Sequence, residues 1–167
     1  MVEKSVERTA YHEAGHVVAA CLLNLEQHGA TIVPEGEIAG QAYAPLMDAM
    51  RYEWPEGEAD YLKRHLIVLF AGMKAVEQVM APLADPEDPN LNISDLESDY
   101  GQAADVVLNV AGPSEEEQLE LSRWAQEEAE SLLNANWAAV EAVASALLEH
   151  RTLSGTQCKK IVKESQR

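Results

Sequence analysis

The stretch HLIVLFAGMKAVEQVM, residues 65 to 80, most constrains the fold. It is apolar on more than one face, so water cannot cover it as an amphipathic surface helix. A segment of this kind belongs at the centre of a core with other elements around it. The spacing predicts a helix from about Glu58 to Met80. Gly72 sits in its middle, at a cost of about 1 kcal/mol against alanine. A glycine tolerated there suggests that a neighbouring element approaches closely.

The surrounding sequence supplies helices to cover it. Val6, Ala10, Ala14, Val17, Val18, Cys21 and Leu22 recur at steps of three and four, which predicts a helix from about Ser5 to Leu25. Ser94 with Glu97, and Ser114 with Glu117, read as capping boxes that start two further helices. The first runs to the Ala-Gly-Pro of 111 to 113, and the second to about Asn134. Another helix spans about Trp137 to His150. Ser154 and Gly155 break the chain before a short last helix carrying Cys158, Ile161 and Val162. The stretch ATIVPEGEIAGQAYAPL, residues 30 to 46, reads as strand, turn and strand, and residues 51 to 60 and 81 to 92 read as loops. The expected fold is mainly α: one compact helical domain over residues 1–167 with one small β-hairpin or sheet.

A net charge of −17 argues against wrapping nucleic acid or lying on an anionic membrane. The longest apolar run, residues 66 to 73, is too short for a membrane span, and the first ten residues lack a signal-peptide core. Two cysteines, Cys21 and Cys158, give no disulfide framework, and Cys21 reads as a small buried hydrophobe. Together these features point to a reducing, cytoplasmic setting.

The chemistry concentrates in YHEAGHVVAA, residues 11 to 20. On a helix His12 and His16 lie one turn apart on one face, so both imidazoles can address one metal ion. Glu13 is rotated about 100 degrees from His12. Its carboxylate can reach a water on the metal but is badly placed to ligate beside both histidines. This is the H-E-x-x-H arrangement of two zinc ligands and a general base. Zinc lowers the pKa of bound water towards 7, which suits attack on a peptide carbonyl. Gly15, inside the same helix, is unfavourable unless close packing demands it.

A catalytic zinc site needs a third protein ligand and an open position. His28, His65, His150 and the carboxylates are all available, and Asp95 and Asp99 share a face near the start of their helix. The three remaining histidines read more naturally as surface residues.

TAYHEAGHVVAA resembles the peptidase domain of the FtsH family of ATP-dependent zinc metalloproteases. The likeness continues in order through ATIVPEGEIAGQAYAPL, LFAGMKAVEQVM, ESDYGQAADVVLNV and SLLNANWAAVEAVASALLEHRTLSG. The resemblance implies Zn2+ as cofactor, bound by His12, His16 and an aspartate. Asp99, with Ala103 four residues on, matches the family's ligand aspartate, and Asp95 is the fallback. It implies Glu13 as the catalytic base. It further implies that an extended peptide adds to a strand edge at Gly40, Gln41, Ala42, Tyr43 and Ala44. The family joins this domain to a membrane anchor and an ATPase. These 167 residues contain no G-x-x-x-x-G-K-S/T loop. Met73 stands where the family has an arginine, and Glu97 and Ser98 stand where it has other residues before the aspartate. The expected activity is ATP-independent zinc endopeptidase action on peptides or unfolded proteins. A homo-oligomer or a separate ATPase are the partners that the resemblance brings in. The alternative is a non-catalytic peptide- or partner-binding scaffold derived from such a domain.

Overall fold

A computed structural model describes residues 2–34, 41–42, 58–80 and 93–166. Among these, six helices and three short strands follow one another in the order α1 (Val2–Leu22), β1 (Gly29–Thr31), β2 (Gln41–Ala42), α2 (Glu58–Val79), α3 (Ile93–Ala111), α4 (Glu115–Ala135), α5 (Trp137–His150), β3 (Thr152–Ser154) and α6 (Gly155–Ser165). The fold is mainly α, as its periodicities predict.

The apolar stretch at 65 to 80 forms α2, and every residue from His65 to Met73 except the glycine is buried with an apolar or imidazole side chain. It packs on α1, α3 and α4, and α1 in turn packs on α5. Ala10, Ala14, Val17 and Val18 of α1 are buried at the spacing that marks them in the sequence. At Gly15, α1 and α2 come together tightly. A Cβ built on Gly15 would strike the Ala71 carbonyl oxygen and stand 2.9 Å from the Ala75 Cβ. Glycine at position 15 is therefore set by the crossing.

Helix α1 stops short of its expected end. Asn24 adopts φ 55, and Leu25 N donates to the Ala20 carbonyl at 2.9 Å. A left-handed residue just past the last turn is a common helix terminator, and asparagine tolerates it. Arg64 Nη1 from α2 donates to the Leu23 carbonyl at 2.9 Å, covering one of the bare carbonyls at this end.

Ser114 caps α4 and accepts from Glu117 N, with Glu115, Glu116 and Glu117 at the positive end of the helix dipole. Ala125, Ala129 and Leu133 form its buried stripe. The side chains of Ser94 and Glu97 lie outside the described residues, although α3 begins where their pattern predicts. Helix α5 buries Ala139, Val140, Val143, Ala144 and Leu147.

The sheet has the order β2-β1-β3, with both pairings antiparallel. Ala30 faces Ala42 and Leu153 across it, and among the described residues β2 stands at the edge. Strand β3 is the element that the sequence reading lacks. Ser154 and Gly155 do not merely break the chain. Arg151 turns it at φ 69, residues 152 to 154 pair with β1, and Ser154 then caps α6 in a capping box with Gln157. Three residues are too few to show an alternating pattern.

Two single residues also differ from expectation. Cys21 is half-buried, while Cys158 is fully buried, and both are free thiols. His65 is no surface residue. It is 2% exposed, its ring meets the Tyr61 ring edge-on at 4.5 Å, and burial together with the nearby Arg64 charge pushes its pKa down to about 4. Its place in an all-round buried helix leaves it no wet face.

His65 is therefore neutral in the folded state, while the unfolded chain takes up a proton near pH 6.5. Because the folded pKa is the lower one, the stabilisation is complete above pH 6.5 and is lost as pH falls towards 4, at up to about 1.4 kcal/mol per pH unit. Urea unfolding of wild type and His65→Leu across pH 7.5 to 4 is expected to show the wild type losing more stability. Parallel pH dependence of the two proteins contradicts this account.

Candidate metal centre

The histidines of α1 project on one face, as their spacing requires. His12 and His16 meet edge-on with ring centroids 4.6 Å apart, and their Nε2 atoms are 3.1 Å apart. Asp99, from the first half of α3, brings Oδ2 to 2.9 Å from His12 Nε2 and 3.1 Å from His16 Nε2. Each histidine is 8% exposed. Among the described residues, these three form a group able to hold a metal ion, with one donor atom from each within 4.8 Å of the others.

The donor spacing fits a metal. Zinc–ligand bonds of about 2 Å in a tetrahedral arrangement put neighbouring donors about 3.3 Å apart. The three observed separations are close to that. Two imidazoles and one carboxylate also match the ligand chemistry of a catalytic zinc site with an open fourth position.

The orientation of His16 has an explicit cause. Its Nδ1 lies 2.8 Å from the Val68 carbonyl oxygen of α2. A proton on Nδ1 donates to that carbonyl and leaves the Nε2 lone pair for a metal. The sequence offers no sign of this contact, because the partner is a backbone group and any residue type could supply it.

Burial alone would lower the His16 pKa, but the Asp99 carboxylate, with a smaller effect of Glu13, raises it to about 9. Burial alone would raise Asp99, but His16 and then His12 hold its carboxyl well below the usual carboxylate range. The His16 imidazole and the Asp99 carboxylate thus favour each other's charged form. Glu13 is 3% exposed.

The other candidates for third ligand stand elsewhere. His28 pairs with Glu26 on the surface and His150 with its neighbour Glu149, while His65 lies in the core beside Tyr61. The Asp95 side chain lies outside the described residues. Of the expected peptide-binding positions, Gly40, Tyr43 and Ala44 also lie outside them, and Gln41 and Ala42 form edge strand β2.

Among the described residues, no helix is long and apolar enough to cross a membrane. No family model matches the chain. Two curated proteins are similar to it. An ATP-dependent zinc metalloprotease FtsH of Neorickettsia risticii (strain Illinois) is 28% identical over 186 residues, covering 94% of this chain. A protein of the same name from Acidimicrobium ferrooxidans is 26% identical over 193 residues, covering 98%. The chain spans less than a third of their length, 28% and 29% respectively. These similarities support a relation of this chain to FtsH at the family level.

Proposed function

We propose that residues 1–167 form one zinc-metallopeptidase domain that cleaves extended or unfolded peptides. The observation that carries this reading is the convergence of His12, His16 and Asp99 donor atoms beside a buried glutamate one residue from the first ligand. His12, His16 and Asp99 would hold a zinc ion. A zinc ion there supplies Lewis-acid polarisation and lowers the pKa of water towards 7. Glu13 accepts the proton at its carboxylate and returns it to the departing amine nitrogen. Asp99 sets one negative charge against the divalent cation. The Val68 carbonyl keeps His16 in the tautomer that presents Nε2.

The substrate is read as an extended chain laid by main-chain hydrogen bonds along the edge of β2 at Gln41 and Ala42; the expected flanking positions Gly40, Tyr43 and Ala44 lie outside the described residues. Strand β2 pairs with β1 on one side, which supports an edge role. No nucleotide-binding loop of the G-x-x-x-x-G-K-S/T form occurs in the 167 residues, so the cleavage step is proposed to need no ATP bound here. Folded substrates then depend on a separate ATPase, and the setting is proposed to be cytoplasmic.

Zinc uptake is the first test. Calorimetry at pH 7.5 in buffers of different ionisation enthalpy should show one zinc per chain. It should also show proton release, because the raised proton affinity of His16 has to be overcome before its Nε2 can bind a metal. Asp99→Ala and His16→Ala should each lose most of the affinity. Absence of zinc binding by the wild type rejects the reading.

Glu13→Gln separates protease from scaffold. The variant should keep zinc and lose casein cleavage by at least about 100-fold, within the range for loss of a general base. Cleavage at the parental rate removes Glu13 from the chemistry. Peptide binding with no cleavage by zinc-loaded wild type favours the scaffold.

A further inference from the structure

Helix α2 contributes no donor atom to the metal cluster, yet it shapes two of the ligands. A Cβ built on Gly72 would stand 2.5 Å from His16 Nε2, 2.6 Å from His16 Cε1 and 3.0 Å from His12 Cε1. Ordinary contact between such atoms needs about 3.5 Å or more. Any side chain at position 72 therefore displaces both imidazoles, and the atom met most closely is the donor nitrogen itself. One turn earlier on the same face of α2, the Val68 carbonyl holds His16 Nδ1 at 2.8 Å. The ring is thus fixed at one nitrogen and given room at the other by two backbone positions of one helix. It cannot swing away from a new methyl group without lengthening the Val68 hydrogen bond or moving Nε2 off the shared point.

We infer that Gly72 is a positioning residue for the metal: with the Val68 carbonyl it makes a backbone socket on α2 that sets the His16 and His12 imidazoles. This rests on the metal-binding reading of His12, His16 and Asp99. It assigns a reason for a residue that is otherwise among the worst choices for the middle of a helix. Gly101 makes the contrast. It too lies within a helix, but among the described residues a Cβ there meets nothing within 4 Å.

Cobalt(II) binding to Gly72→Ala and Gly101→Ala, followed by absorption and by competition with zinc, tests the inference. Gly72→Ala is expected to lose about 10- to 100-fold in metal affinity, the usual range for a residue that orients ligands, with an altered cobalt spectrum. Gly101→Ala should keep both. Metal-free thermal unfolding gives a second, independent readout. Gly72→Ala should lower Tm in the wild-type background but raise it in the His12→Ala/His16→Ala background, where the obstructing rings are gone and alanine is the better helix former. The double-alanine background also serves if Gly72→Ala alone does not fold.

Wild-type protein that binds no cobalt overturns the metal reading and this inference with it. Wild type that binds cobalt, alongside Gly72→Ala with equal affinity and the same spectrum, overturns the role of Gly72 alone. A Gly72→Ala effect on Tm of the same sign in both backgrounds also overturns it.

Discussion

At Gly15 the backbone of α1 meets the backbone of α2 with no side chain between them, and the rest of the structure depends on that crossing. Gly15 lies against the Ala71 carbonyl, and Gly72 lies under the His12 and His16 rings. Ala10, Ala14, Val17 and Val18 are buried along α1 as well. Protein interiors are packed about as densely as molecular crystals, so a few missing carbons fix the helix separation closely. At this separation a backbone carbonyl of α2 can reach an imidazole of α1. The core and the polar cluster are two consequences of one packing contact.

Electrostatics then decides what such a place can hold. His12, His16 and Glu13 are all buried, and Asp99 closes over the histidines. Buried charge is tolerated when it is paired and hydrogen-bonded. Asp99 pairs with both imidazoles, and Asp99 and His16 each shift the other's proton affinity towards the charged form. A divalent cation satisfies the same donors with one central charge.

Much of this was legible in the residues. Helical periodicity marked all six described helices, and the three-four spacing of small apolar residues in α1 named its buried face. The two mid-helix glycines, 15 and 72, signalled close approach before any contact was visible. Other features left no trace. Strand β3 is three residues long and exists because β1 offers it a partner. His65 looks like any other histidine in a one-dimensional pattern, but α2 is enclosed on the side where it projects, so the ring is buried. Cys21 sits in an apolar run, yet it falls on a margin of α1 that the core does not fully cover.

By itself, the sequence determined the helix-rich class, the shared face of His12 and His16, and the place of Glu13 beside them. Each of these is a local consequence of helix geometry, in which neighbours three and four residues apart are fixed by the backbone repeat. The third donor was a different kind of problem. Among 29 aspartates and glutamates, local chemistry distinguishes none, and only a family likeness pointed to Asp99 over Asp95. Tertiary structure brought Asp99 Oδ2 to His16 across 83 residues of chain, and placed the Val68 carbonyl behind the same ring. Both contacts depend on how α1, α2 and α3 stack, and no repeat within one helix encodes that.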